Sequence, residues 1–536
     1  MLQQSCSRHQ PFQVPTDVVS GLQTTQVSSI DLQRWQKAQQ DLLKDRGDRA
    51  LATYRDLIKK YPEKADLWFE LGLASAKELE FELADEAFQR TAELSSGNIS
   101  MLVLLGQQYH LLRRMDKARL CFEQAVATDP NSVHAQLSLA DWYERERRLD
   151  DAWGCVEACV ARHPSDPQVR CYQALLLQRR KQGAEAEKIL RELVGNPAAN
   201  LNVKYSCRHQ LAVVLDEMGQ HTEALRILAE AKAVLRQSAN VANLEQTYDH
   251  ADRRRRKLLA ELSPEMIKRW RTEGGRVPKA LNLVFLGGHP RSGTTLLEQI
   301  LGAHPQIAAF DEPTAFSQEI VNKFAPFEGG PALTANVLNQ MSSTQRDHFR
   351  ERYLKNLGRE NRSQSGDDVL LDKNPSHTAS VHMWLRFFPE AKILIALRDP
   401  RDVIISCYFQ NLMLNATNAN FLSLERTVKH YADLMDAWLR LRELGGFDWL
   451  ETRYEDLVAN AAAEGQRVTE FLGLTWNPQQ TEYHESARKQ FVFAPNYVEV
   501  ARPIYRRAVG RWHRYEEALA PLQQRLAPFC RAFGYE

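Results

Sequence analysis

The sequence predicts an all-α helical solenoid over its first half and a P-loop-type α/β domain with a central parallel sheet over its second. Two observations carry the division. Small residues recur with a fixed period through the first half, and past residue 280 that period gives way to short apolar runs, each ending in glycine or charged residues. A third orients the second half: its first apolar run leads through a glycine-bounded loop into a helix, the layout of an anion-binding loop.

Composition sets the outer limits. At 536 residues the chain is too long for one compact core. Its formal net charge of +1 gives no global field toward nucleic acid or an anionic membrane, so any anion must be held by local clusters. The cysteines (Cys6, Cys121, Cys155, Cys159, Cys171, Cys207, Cys407, Cys530) follow neither a disulfide framework nor CxxC metal spacing, which fits a reducing compartment. Cys155 and Cys159, four apart on a predicted helix, read as core. MLQQSCSRHQPFQVP holds no apolar leader core and no run of eighteen apolar residues occurs, so neither a membrane span nor a location other than the cytoplasm is expected.

The repeat comes first in the chain. Ala38, Gly72, Gly106, Ala140 and Ala174 recur every 34 residues, and Ala50, Ala84, Ala118, Ala152 and Ala186 follow twelve behind. Both series continue after one shared four-residue insertion, at Ala212 and Ala224. Small side chains at fixed intervals let two antiparallel helices approach where they cross, with Trp68, Leu71, Leu105 and Phe88 filling the space around them. Pro62, Pro130 and Pro164 fall between units and stop one helix before the next begins. The unit resembles the tetratricopeptide repeat, and about six copies are expected over residues 30–235, stacked as a solenoid. That resemblance implies a concave surface for a protein or peptide. The alternative is a spacer or dimerisation arm without a specific ligand, the second of which would allow a homodimer.

Residues 236–279 lack the repeat and are expected to form a helical linker. Its run Arg253-Arg254-Arg255-Arg256-Lys257 spreads cations around a helix, the pattern of a solvated segment and not of a nucleic-acid or membrane contact. Gly274, Gly275 and Pro278 mark the boundary before a domain of residues 280–536.

In that domain LNLVFLG (281–287) reads as a buried parallel strand. The loop Gly288-His289-Pro290-Arg291-Ser292-Gly293-Thr294-Thr295 then opens the helical segment LLEQILGAHP, whose first N–H groups and dipole would face an anion. The glycine spacing matches GxxxxGK[ST], but Thr294 stands where a nucleoside-triphosphate enzyme has its lysine. Arg291 offers a planar two-pronged cation from inside the loop instead. Three further apolar runs follow. VLL (369–371) leads into Asp372-Lys373-Asn374-Pro375, KILIAL (392–397) into Arg398-Asp399-Pro400-Arg401-Asp402, and FDWLETR (447–453) into Tyr454-Glu455-Asp456-Leu457. Ligands of open α/β sheets bind beyond the carboxyl ends of the strands, where these groups would converge. Pro400 is suited to begin a helix that carries Ser406 about two turns along.

PRSGTT, the Asp311–Glu312 pair, DKNP, RDPRD followed by Ser406, RYEDL and the late GRW resemble sulfotransferases over residues 280–536. The likeness is in particular to protein-tyrosine sulfotransferases and to bacterial proteins joining tetratricopeptide repeats to such a domain. It implies 3′-phosphoadenosine-5′-phosphosulfate as cosubstrate, with no metal. Arg291, Ser292, Gly293, Thr294 and Thr295 would cradle the phosphosulfate, and Arg398 and Ser406 would bind the 3′-phosphate. Tyr454 would lie by the nucleotide, and Arg511 stands where the family has a donor-contacting lysine. Glu312 matches the catalytic base, ahead of Asp311, and Lys373 the cation on the leaving oxygen, with Arg291 counted among the catalytic residues as well as the donor-binding ones.

The chemistry suits these types. An in-line displacement needs a carboxylate to take the attacking hydroxyl's proton and a preorganised cation where charge develops. Two departures alter the expected geometry: Gln410 replaces a second 3′-phosphate arginine, for which Arg506 and Arg507 are candidate substitutes, and Asn496 replaces a serine. His289, His377, His382 and Cys407 are assigned no chemistry. The acceptor (tyrosine, glycan, lipid or small phenol) would be shaped by residues 322–368 and 411–427. A P-loop nucleotide kinase and a non-catalytic repeat scaffold are the alternative readings.

Overall fold

The computed structural model describes residues 27–535 except 44–45, 197–199, 239, 274–281, 325–332, 362–368, 412–413, 485–503 and 505. Asn496, the Gly274–Pro278 boundary and parts of the two segments expected to face the acceptor lie outside the described residues.

Helices α1 (Ser29–Leu43) and α2 (Gly47–Lys60) precede a strictly spaced series. The first helices of successive pairs are α3 (Ala65–Lys77), α5 (Ile99–Leu111), α7 (Val133–Arg145), α9 (Pro167–Arg179) and α11 (Leu201–Glu217); their partners are α4 (Phe81–Leu94), α6 (Met115–Thr128), α8 (Leu149–Arg162), α10 (Gly183–Val194) and α12 (His221–Ser238). The small residues sit where the helices cross. A Cβ on Gly72 would stand 2.4 Å from the Phe88 ring, and one on Gly106 would stand 2.6 Å from Phe122. Leu71, Leu105 and Phe88 are buried as expected. Trp68 is not core: it is half-buried, and its indole N–H reaches out to Pro62 O at 2.8 Å. Leu79, Arg113, Arg147, Lys181 and Gly219, one per turn, carry the left-handed backbone that reverses the chain within each pair. The four-residue insertion is an added helical turn: α11 has 17 residues where α3, α5, α7 and α9 have 13.

By internal contacts the chain forms two compact units, one of Ser7–Leu193 and one holding Val194–Glu536. The second therefore includes α11 and α12. Tyr205, Ala231 and Leu235 from these helices share a buried cluster with Val241, Ala419 and Leu422. Helices α13 (Val241–Glu261) and α14 (Pro264–Thr272) follow. The basic run on α13 departs from the solvated reading. Arg255 binds Asp252, and Arg256 binds both Asp252 and Asp433. The two carboxylates are buried, and burial without these cations would be costly. Arg253 and Lys257 stay exposed.

Five strands, β1 (Asn282–Gly288), β2 (Ile307–Asp311), β3 (Val369–Lys373), β4 (Lys392–Leu397) and β5 (Trp449–Arg453), form one parallel sheet in the order β2-β3-β1-β4-β5. Four follow the apolar runs of the sequence. β2 does not, because IAAFD is a short edge strand with small, half-buried residues and no marked apolar run. The helices between the strands are α15 (Thr294–Gly302), α16 (Asn322–Phe324), α17 (Ala335–Gln340), α18 (Ser343–Asn361), α19 (Val381–Phe387), α20 (Pro400–Tyr408) and α21 (Leu424–Leu444), and α22 (Tyr454–Ala459) and α23 (Ala461–Phe471) follow β5. Val284, Leu286, Leu371 and Leu394 of the sheet pack with Leu297 and Ile300 of α15 and Val468 of α23. Both faces are covered at the inner strands, which is why β1, β3 and β4 read as continuous apolar runs.

Candidate active site

The sheet delivers its polar groups to one edge. The strand order puts β1 at the centre, between β3 and β4, and the crevice beside it is where an open parallel sheet leaves room for a ligand. At this edge Gly288 has φ +130°, and a Cβ there would lie 2.3 Å from Ala396 O, so only glycine lets β1 run this close to β4 as the loop begins. Thr378 fastens the turn by accepting from Gly288 N at 2.7 Å and donating to Gly288 O at 2.8 Å.

The loop ends at Gly293, whose left-handed backbone (φ 90°) caps α15 without any side chain on the helix N-terminus. A helix start left open in this way presents its N–H groups and positive dipole end to an anion. Ser292, Thr294 and Thr295 are buried around it. Tyr454, at the end of β5, closes the loop from one side: a Cβ on Gly293 would stand 2.5 Å from its ring. Arg398, one residue past β4, lies with its guanidinium 4.9 Å from that ring and donates to Arg291 O at 3.2 Å and to Ala508 O. Its buried Nε has no hydrogen-bond partner. Arg291 has φ 76° and sends Nε to Ser406 Oγ at 3.1 Å. Arg291, Arg398, Ser406 and Tyr454 are thus brought together at the loop.

On the other side of β1 the register places Asp311 directly beside Lys373. The Lys373 ammonium, wholly buried, is hydrogen-bonded to Asp311, lies 3.2 Å from Glu312 Oε1 and 3.6 Å from Glu298 Oε2. Three carboxylates therefore share one cation. Glu312 has φ 50°, its N–H is held by Lys373 O at 2.7 Å, and its side chain is the most open of the three at 21%. Glu298 went unrecognised in the sequence. The available signal was a carboxylate four residues after Thr294 on an apolar helix face, where burial requires a buried cation.

Arg511 stands apart from this cluster. Its guanidinium pairs with Asp216 of α11 at 2.7 Å and lies 4.6 Å from the Phe409 ring. The segment is fixed by Asp402, a buried carboxylate on α20 that accepts from Gly510 N and Trp512 N, each at 2.8 Å. Arg506 is exposed, with one long bond to Ala459 O. The histidines are framework groups. His289 and His430 are buried edge-to-face with a 2.9 Å nitrogen contact, and desolvation lowers His289 to about 4, so both are neutral near pH 7. Cys407 is buried against Pro290 O and pushed up to about 12, an unreactive thiol.

Known proteins resemble both parts of the chain. Residues 284–478 match the model of the sulfotransferase family, and residues 44–99 and 112–154 match that of the tetratricopeptide repeat. An uncharacterized protein of Aquifex aeolicus (strain VF5) is 26% identical over 65% of this chain, which spans 45% of that protein's length. Protein-tyrosine sulfotransferase 2 of Gallus gallus is 24% identical over 49% of this chain and 71% of its own. Among solved structures, the sulfotransferase domain of the Synechococcus PCC 7002 olefin synthase is 19% identical, covering 45% of this chain and 91% of that one with a TM-score of 0.32. The chain carries tetratricopeptide repeats followed by a sulfotransferase domain.

Proposed function

We propose that the protein transfers the sulfuryl group of 3′-phosphoadenosine-5′-phosphosulfate to an acceptor hydroxyl, with a protein tyrosine as the first acceptor to test. One observation carries the reading. Among the described residues of Val194–Glu536, the two non-glycine residues held in left-handed backbone are Arg291 and Glu312, and both lie at the ligand-binding edge of the sheet. Such strain costs about 1–3 kcal/mol per residue and persists where surrounding structure imposes it, typically at functional sites.

The open N-terminus of α15 and residues Ser292–Thr295 suit the anionic phosphosulfate. Arg398, with an unused buried Nε, and Ser406 suit the 3′-phosphate, a group that ordinary adenine nucleotides lack. In the transfer the acceptor oxygen forms a bond to sulfur as the bond from sulfur to the phosphate oxygen breaks. Glu312, the most accessible carboxylate of its cluster, takes the acceptor's proton. Lys373, with Asp311 and Glu298 balancing its charge in the free site, offsets the charge that develops on the departing oxygen, and 3′-phosphoadenosine-5′-phosphate leaves. The sulfotransferase relatives' printed names are the support for tyrosine, and the repeats supply a surface to present it. Residence in the cytoplasm rests on the cysteine usage.

Calorimetric titration of the full chain with 3′-phosphoadenosine-5′-phosphate, run beside magnesium ATP, tests this directly. Selective binding of the former is expected, with Arg398→Ala weakening it far more than adenosine 5′-monophosphate. Binding of magnesium ATP alone would install the kinase reading, and binding of neither would leave a scaffold.

A further inference from the structure

We infer that the last repeat pair, α11 and α12, sets the 3′-phosphate end of the donor site by capping helix α20; this rests on the donor reading above. Helix α20 carries Ser406, which accepts from Arg291, and ends at Tyr408. The carbonyls at a helix C-terminus have no partner within the helix and must find one outside. Those of α20 are met locally, by Phe409 N on Ile405 O and Gln410 N on Cys407 O, and the repeat supplies the partners of the next two carbonyls, on Phe409 and Gln410. His209 Nε2 meets Phe409 O at 3.0 Å, and Lys232 Nζ donates to Gln410 O at 2.9 Å. Since a carbonyl only accepts, Nε2 carries the hydrogen of His209. Tyr205 OH donates to Asn411 Oδ1 at 2.9 Å. His209 and Lys232 are 7% and 3% exposed, so these bonds replace water.

Three successive residues after α20 are thus held by side chains from the repeat, and nothing in the packing of α11 against α12 requires those side chains to be polar. Tyr205 and His209 are four apart, on one face of α11, and both precede Ala212, within the stretch lengthened by the inserted turn. From the other side Arg511 bridges Asp216 of α11 to the Phe409 ring. Gln410 folds back, its Nε2 donating to Ser406 O at 3.2 Å. Displacing this end of α20 would move Ser406 and, through it, Arg291. Lys232, His209 and Tyr205 are positioning residues for the site, not contacts of the donor.

The test uses the full chain and two variants, Lys232→Met and Tyr205→Phe, the second losing only a hydroxyl and so preserving the fold. Each is titrated with 3′-phosphoadenosine-5′-phosphate and with adenosine 5′-monophosphate, and amide exchange is followed over residues 406–411. Lys232→Met should weaken the bisphosphate about tenfold and Tyr205→Phe about threefold, from loss of one hydrogen bond each, with the monophosphate changed less than about twofold and exchange faster in both. Equal weakening of both nucleotides, or unchanged affinity for the bisphosphate in both variants, would show the pair to be packing alone and overturn the inference. Failure of the unmutated chain to bind the bisphosphate would instead remove the donor reading, and the inference with it; the unmutated titration tells these apart.

Discussion

The first helices of the repeat pairs and helix α15 start in opposite ways. In the repeat, Asn98, Ser132, Asp166 and Asn200 stand 34 apart and each turns its side chain onto the first N–H groups of the helix it precedes. Those helix ends are satisfied internally and offer nothing to a ligand. Before α15 the corresponding position is Gly293, with no side chain to give. The same contrast holds for strained backbone. Left-handed residues in the repeat lie in its turns, one per pair, where they reverse the chain; Arg291 and Glu312 lie where chemistry is proposed. One geometry closes a structure and the other leaves a site open, and what distinguishes them is whether neighbouring side chains use up the groups it exposes.

The comparison is sharpest at Glu312. Glu312→Gln should reduce sulfuryl transfer by about 10²–10⁴-fold, the usual contribution of a general base, while the affinity for 3′-phosphoadenosine-5′-phosphate holds. Normal turnover with lost donor binding would move the base to Asp311 or Glu298. Arg291→Gly separates strain from function: donor affinity should fall about tenfold or more with the loss of a charged hydrogen bond, although thermal stability should not fall. In the repeat the effect is on stability alone. Gly106→Leu forces side-chain atoms into the Phe122 ring and should cost about 1–3 kcal/mol in chemical denaturation, with nucleotide affinity intact.

A pH profile reads the buried lysine of the last repeat. Burial lowers Lys232 to about 7 from 10.5. Between those values the unfolded chain binds a proton that the folded one does not, so stability rises with pH across that window, and the penalty is full below it. Relative to Lys232→Met, the melting temperature of the unmutated protein should therefore climb from pH 7 to 10; parallel profiles would mean that the amine is not desolvated. The smallest effect belongs to a repeat turn. Lys181→Gly, relieving a left-handed residue with no catalytic duty, should raise stability by about 0.5–1 kcal/mol and leave nucleotide binding alone.

The sequence by itself determined the repeat and its register, and it named the residues proposed for the site. A period of 34 is a local property: each helix pair packs chiefly on neighbours in the chain, so the spacing of Gly72, Gly106 and Ala140 already states where helices cross. Strands β1, β3 and β4 were legible for a related reason, since an inner parallel strand covered on both faces must be apolar along its length. What only the tertiary structure decided came from contacts distant in sequence. The edge strand β2, the third carboxylate on Lys373 from Glu298, the buried Asp433 that meets Arg255 and Arg256, and the docking of Tyr205, His209 and Lys232 onto the end of α20 each join segments tens to hundreds of residues apart. A charged or polar residue in sequence shows that a partner must exist if it is buried; which partner, and whether it is buried at all, is settled only when the chain has folded around it.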